Sequence, residues 1–114
     1  MHPLEEWTQE LKDSDKLIIV EGKKDKKALE ELGITNVITI SKPLYEVVEQ
    51  ISDQTKEIII LTDLDPEGRK LYSKLKNPLQ KRKIKIDTKF REFLIRETKL
   101  TNIEGLTRYL LKIK

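Results

Sequence analysis

Four acidic residues give this sequence its first chemical content. Glu21 ends the apolar run Leu17-Ile18-Ile19-Val20, and Asp63, Asp65 and Glu67 follow a second run, Ile58-Ile59-Ile60-Leu61. Carboxylates at alternate positions repel one another, and they ionise together only when a cation shares them or water screens them. Hard oxygen donors on a short loop suit Mg²⁺, with Mn²⁺ as a substitute, and Mg²⁺ typically takes one or two carboxylates while keeping waters. Such an ion would draw charge from a phosphate and orient a water or a leaving oxygen. The same acids have a plainer use, because Asp and Glu at a helix start favour its macrodipole. For an Asp-x-Asp standing alone that plainer use is the default. Where the acids fall relative to the other elements decides between the two.

The apolar runs are too short for helices and read as strands buried on both faces, as in a parallel sheet. Such a sheet gathers its functional residues beyond the carboxyl ends of its strands. A helix is expected from Leu4 to Leu11, with Trp7 packing it onto the core rather than stacking on a base. Asp13-Ser14-Asp15 reads as a turn. Strand Leu17 to Val20 ends at Glu21-Gly22, and a helix follows from Lys23 to Leu32, with Asp25 capping its first turn and Gly33 as its stop. A strand from Val37 to Ile40, a helix from Leu44 to Ile51 and a strand from Ile58 to Leu61 come next. Pro66 pre-sets a helix start, and Gly68 leaves that turn bare for the approach of a backbone or a phosphate. This helix, carrying Arg69 and Lys70, is expected to end near Leu75, broken at Asn77-Pro78. Ile84 and Ile86 alternate with Lys83 and Lys85 as in a half-exposed strand. Phe90, Phe93 and Leu94 mark a helix, and Thr101-Asn102-Ile103-Glu104 reads as a capping box before a last helix through Leu106, Tyr109, Leu110 and Ile113. The three tyrosines, Tyr45, Tyr72 and Tyr109, lie at helical core spacing and read as packing residues.

At 114 residues the chain is expected to form a single domain spanning 1–114, with C-terminal helices at about 88–112. With no cysteine there is no disulfide framework and no thiolate metal site. The lone histidine, His2, reads as part of a disordered end, which removes zinc clusters and histidine-based triads. No apolar run reaches membrane-spanning length and the N-terminus lacks signal-peptide character, so no membrane partner and a cytoplasmic location are expected. The net charge of +3 hides a division: residues up to Asp65 hold 8 Lys/Arg against 15 Asp/Glu, and those after it hold 15 against 5. A basic half beside an acidic site points to a polyanionic partner, nucleic acid first among them.

Strands alternating with helices give an α/β fold with a parallel sheet of about four strands flanked by helices, a three-layer Rossmann-like arrangement. If the first and third strands are neighbours, Glu21, Asp63, Asp65 and Glu67 share one cleft, and crowding pushes the Glu21 pKa upward. Ile18-Ile19-Val20-Glu21-Gly22, with Asp25 and Ala28 following, resembles the first motif of the Toprim family, and Ile59-Ile60-Leu61-Thr62-Asp63-Leu64-Asp65, with Gly68 following, resembles its second. That family is shared by type IA and type II topoisomerases, bacterial primases, OLD-type nucleases, recombination mediators and the ribonuclease that matures 5S ribosomal RNA. The resemblance covers about residues 16–95. It implies Glu21 as the general acid/base, Asp63 and Asp65 as Mg²⁺ ligands with Glu67 as a third acid, and Lys23, Arg69 and Lys70 facing substrate phosphates. Gly22, Asp25 and Gly68 are its structural positions. No topoisomerase tyrosine domain, primase zinc module or ATPase accompanies it, and the organisation is similar to a small stand-alone Toprim protein.

Two functions follow as expectations. One is a metal-dependent nuclease acting on structured RNA or DNA. The other is a non-catalytic nucleic-acid-binding or adaptor module of an RNA-processing or DNA-repair complex, with a protein partner supplying specificity. A phosphorylatable receiver domain fits poorly, because its acidic pair belongs after the first strand, where Glu21-Gly22 stands.

Overall fold

Residues 1–113 are described by a computed structural model. Its elements run α1 (Pro3–Asp13), β1 (Leu17–Val20), α2 (Lys23–Glu31), β2 (Val37–Thr39), α3 (Leu44–Gln54), β3 (Glu57–Ile60), α4 (Pro66–Lys81), β4 (Lys85–Ile86), α5 (Lys89–Glu97), a 3₁₀ turn (Ile103–Gly105) and α6 (Leu106–Lys112). The four strands are all parallel, in the order β2-β1-β3-β4. The α/β fold with a parallel four-stranded sheet therefore stands as the sequence implied.

Alternation along the short strands builds the three layers. Ile18, Val20, Ile59 and Leu61 point into one core with Trp7, Leu11, Leu29, Phe90, Leu94, Ile103 and Leu106. Leu17, Ile19, Ile58 and Ile60 point into the other, with Val47, Val48, Ile51, Leu75 and Leu79. So α1, α2, α5 and α6 cover one face of the sheet and α3 and α4 the other. Trp7 is buried in the first core; its indole N–H donates to the Phe90 carbonyl at 2.9 Å and its ring stacks on Phe93. No helix among the described residues is long and apolar enough to cross a membrane.

Several expectations are corrected. His2 does not belong to a disordered end: its Nδ1 accepts the Leu4 N–H at 3.0 Å and its own N–H donates to Glu5 at 3.2 Å, so it caps α1. The helix from Pro66 does not break at Asn77-Pro78 but runs to Lys81 with Pro78 inside it. Pro78 gives up one helical hydrogen bond and crowds the carbonyl four residues before it, but it sits in the last turns, while Leu75 and Leu79 on either side are fully buried, and that burial outweighs the cost. The strand near residue 84 is just Lys85–Ile86, yet Ile84 and Ile86 do share one side, both on the second core. The last helix has no capping box: Asn102 precedes the 3₁₀ turn and makes no side-chain cap. Tyr45 is 67% exposed and belongs to neither core, whereas Tyr72 and Tyr109 pack against the two cores.

Candidate functional site

The connection β1-α2-β2 moves outward in one direction, and the chain then returns across β1 to place β3 on its other side and β4 beyond. The direction of winding reverses between β1 and β3. In open parallel sheets a crevice forms at that switch, outside the strands' carboxyl ends. Glu21 leaves β1 there, and Thr62, Asp63 and Asp65 leave β3 there.

The two strand ends are tied to each other through the acids. The Asp63 N–H donates to Glu21 Oε1 at 3.0 Å. Asp63 Oδ1 in turn accepts the Ile103 N–H at 2.9 Å, from the 3₁₀ turn. Asp65 Oδ1 accepts the Gly68 N–H at 2.8 Å and so caps α4. Each of these three carboxylates thus has one oxygen fixed by a backbone N–H, and the second oxygen of each takes no hydrogen bond among the described residues. Asp25, 8% exposed, reaches back to the Gly22 N–H at 3.1 Å and caps α2, as expected of it.

Burial, more than crowding, raises the Glu21 pKa; the Asp63 N–H opposes the shift, and the charges of Asp63, Asp25 and Asp65 add to it. Burial likewise raises Asp25 and Asp63, which also feel each other or Asp65, and both feel Glu104. Three acids displaced in the same direction mark a site where negative charge is held against its own repulsion.

Gly68 shows how tightly the loop is built. A Cβ there would lie 1.9 Å from the Asp63 carbonyl oxygen and 2.4 Å from its carbon. The Gly68 carbonyl accepts the buried Thr62 hydroxyl at 2.7 Å. The start of α4 therefore lies against the Asp63 backbone, a separation no side chain permits. Gly22 differs: a Cβ there would meet nothing nearer than Asp25 at 4.0 Å, so the space in front of β1 is open.

The remaining candidates spread outward. The Glu67 side chain is 83% exposed and pairs with Lys70 at 3.8 Å. Glu67, Lys70, Leu71 and Lys74 line a cleft of about 180 Å³ with Glu21. Among the described residues no three acids converge closely enough to enclose a metal ion. Arg69 is turned inward at its Nε, which donates to the Leu64 carbonyl at 3.0 Å. Lys23, in the first turn of α2, is exposed.

Two residues escaped the reading of the sequence. Arg91 is only 4% exposed; its guanidinium donates to the carbonyls of Thr62 and Asp63, the latter at 2.9 Å, and lies 4.7 Å from the Tyr72 ring centre. Burial lowers its pKa, offset by Tyr72, Glu21 and Asp63. A cation between Phe90 and Leu94, on the inward side of an amphipathic helix, was the available signal. Glu104 was read as a capping acid, but it adds a further negative charge beside Asp25 and Asp63.

Comparison with known proteins gives the family and the fold. The family model described as "Toprim domain" matches residues 16–93. A UPF0292 protein of Methanocaldococcus jannaschii is 37% identical over 103 residues, covering 86% of this chain and 80% of the relative. One of Pyrococcus abyssi is 39% identical over 107 residues, covering 90% and 80%. Among solved structures, a putative protein from Aquifex aeolicus superposes with a TM-score of 0.85 at 37% identity, over 92% of this chain and 99% of that one. The zinc-binding and RNA polymerase domains of the Aquifex aeolicus primase share the fold, with a TM-score of 0.56 at 23% identity over 93% of this chain and 27% of theirs.

Proposed function

This chain belongs to the Toprim domain family, which carries a nucleic-acid-related function, and from that premise we propose that it is a small Mg²⁺-dependent nuclease acting on structured RNA or DNA. The observation that carries the reading is the Glu21–Asp63 junction at the switch point, where a carboxyl with a raised pKa is held by the N–H of an aspartate whose outer oxygen is open.

The donor set suits a hard cation. Asp63 and Asp65 offer oxygen only, and each has one oxygen oriented by a backbone N–H while the other is available. They are two carboxylates, not three, in keeping with an ion that retains most of its waters. Asp63 and Asp65 are the ligands in this proposal, and Glu67 completes the acidic rim from the neighbouring cleft. The bound ion would supply charge neutralisation at the phosphate.

The chain's own residues do the rest. Glu21, as the carboxylate, accepts a proton from the attacking water while the new phosphorus–oxygen bond forms, and the leaving sugar oxygen takes a proton from solvent as its bond to phosphorus breaks. Its raised pKa brings proton exchange closer to neutrality. The Asp63 N–H keeps that carboxylate facing the loop. Lys70 and Lys74 line the cleft beside Glu21, and Lys23 and Arg69 flank the two strand ends, giving the phosphates positive partners.

End-labelled structured RNA, single-stranded DNA and duplex DNA, each with Mg²⁺, Mn²⁺ or chelator, test the proposal. Metal-dependent cutting of one substrate is expected, abolished in Asp63→Asn and in Glu21→Gln, with binding nearly intact in Glu21→Gln. Salt-sensitive binding without cutting, equal in wild type and both variants, would overturn catalysis and favour the adaptor reading.

A further inference from the structure

We propose that the groove between α4 and α5 is a phosphodiester subsite, which holds a nucleic-acid strand against the back of the Asp63 loop. This rests on the nucleic-acid reading of the acidic site, although not on catalysis there. The groove has a volume of about 390 Å³ and is lined by Arg69, Tyr72, Ser73, Lys76, Thr88 and Arg91, with Glu92 and Ile95 also on its wall. Three cations, two hydroxyls and a phenol make a lining suited to an anion with several acceptor oxygens.

Arg91 is the central observation. A guanidinium this deeply buried ordinarily has a carboxylate partner, since an uncompensated buried charge is costly. Lys16 shows the usual solution in this molecule, with Asp87 at 2.7 Å and Glu57 at 3.3 Å. Arg91 forms no ion pair among the described residues, and neither do Arg69 and Lys76. Its direct partners are two carbonyl oxygens and the face of Tyr72, and the carboxylates of Glu21 and Asp63 act on it only from beyond ion-pair distance. A bound phosphodiester would supply an anion in direct contact.

Position selects a strand over a free nucleotide. The bond from Arg91 to the Asp63 carbonyl makes the groove and the acidic site two sides of one loop. Basic residues also continue along α4 and past it, at Lys81, Arg82, Lys83 and Lys85. A strand with one phosphate at the acidic site can thus place a neighbouring phosphate in the groove and run on along the basic edge.

Binding of fluorescein-labelled single-stranded RNA and DNA 12-mers to the full chain, by anisotropy in chelator, reads this without any need for cleavage. Lys76→Glu is expected to weaken binding roughly 5- to 10-fold, and Lys76→Ala to reduce the salt slope by about 0.7. Ser73→Asp, on the exposed wall, should weaken binding similarly. Lys42→Glu makes the same charge change at the exposed residue before α3 and should stay within about twofold of wild type, which separates the groove from general electrostatics. Equal losses in Lys76→Glu and Lys42→Glu, or no oligonucleotide binding at all, would overturn the subsite. So would AMP competing as well as the 12-mer, which would make the groove a mononucleotide site. Absence of cutting in the nuclease assay together with a selective Lys76→Glu effect would sink the nuclease and leave the subsite standing.

Discussion

At the scale of single residues, the two motif glycines do opposite work. Gly68 is required by contact: an added methyl would sit 1.9 Å from the Asp63 carbonyl oxygen, and that oxygen belongs to backbone already held by Arg91. Gly68→Ala is therefore expected to destabilise the fold by at least about 3 kcal/mol, read as a lower urea midpoint. Gly22 has room, and its extended backbone suits any residue. Gly22→Ala should leave stability within about 0.5 kcal/mol of wild type. If a strand approaches β1 closely there, the same variant lowers oligonucleotide affinity, a loss with no counterpart in the melt. Unchanged melting for Gly68→Ala would contradict the packing described here. Both glycines were legible from their place after a strand, but the sequence offered no way to tell a glycine needed by its neighbours from one that leaves space. Arg91 was hidden for a related reason. Its partners are carbonyl oxygens 28 and 29 residues away, and main-chain acceptors have no sequence signature.

At the scale of elements, the short apolar runs and their abrupt acidic ends were enough to locate β1, β3 and the meeting of Glu21 with Asp63 between them. A four-residue strand buried on both faces has few other readings. The misjudged elements are those in which long-range burial overrides a local signal. Pro78 is a helix breaker by local rules, yet α4 continues because Leu75 and Leu79 are both fully buried on α3's side of the sheet. Pro78 thus remains a cost carried inside a helix otherwise well anchored. Pro78→Ala is expected to stabilise the protein by about 1–2 kcal/mol, less than the interior penalty because the last turn has loose bonds in any case. A chemical melt of the variant checks this; destabilisation would mean that the proline ring packs usefully. The 3₁₀ turn was likewise read as a simple cap. It lies outside the matched family region, and its Ile103 N–H fixes Asp63 while its apolar side chain fills the first core. No local pattern announces such a tie, since the bond joins residues 40 apart in sequence.

At the scale of the whole molecule, the acidic centre strains the fold that carries it. Glu21, Asp25 and Asp63 have folded-state pKa values raised chiefly by burial. A carboxyl raised on folding binds its proton more tightly in the native state. Its contribution is fully present below the unfolded value of about 4 and is lost as pH rises through the folded value. Asp87 behaves oppositely: burial alone would raise it, but Lys16 and the Lys89 N–H bring it below its ordinary value. Its support is therefore present above about pH 4 and is lost only in stronger acid. Lys16, raised mainly by its bond to Asp87, stays charged throughout this range. From about pH 4 toward neutrality the three raised acids should dominate, so in chelator the melting temperature should fall as pH rises. Asp63→Asn keeps an oxygen to accept the Ile103 N–H and removes one charge. It is expected to melt about 2–5 °C above wild type at pH 7.5 and to match it near pH 4. Added Mg²⁺ should raise the wild-type melt at pH 7.5 and leave Asp63→Asn nearly unchanged, because the variant has lost one of the two proposed carboxylate ligands. A wild-type melt that rises with pH over this range would show that the Lys16–Asp87 pair outweighs the acidic centre. A melt of Asp63→Asn that responds to Mg²⁺ as strongly as wild type would move the cation away from Asp63.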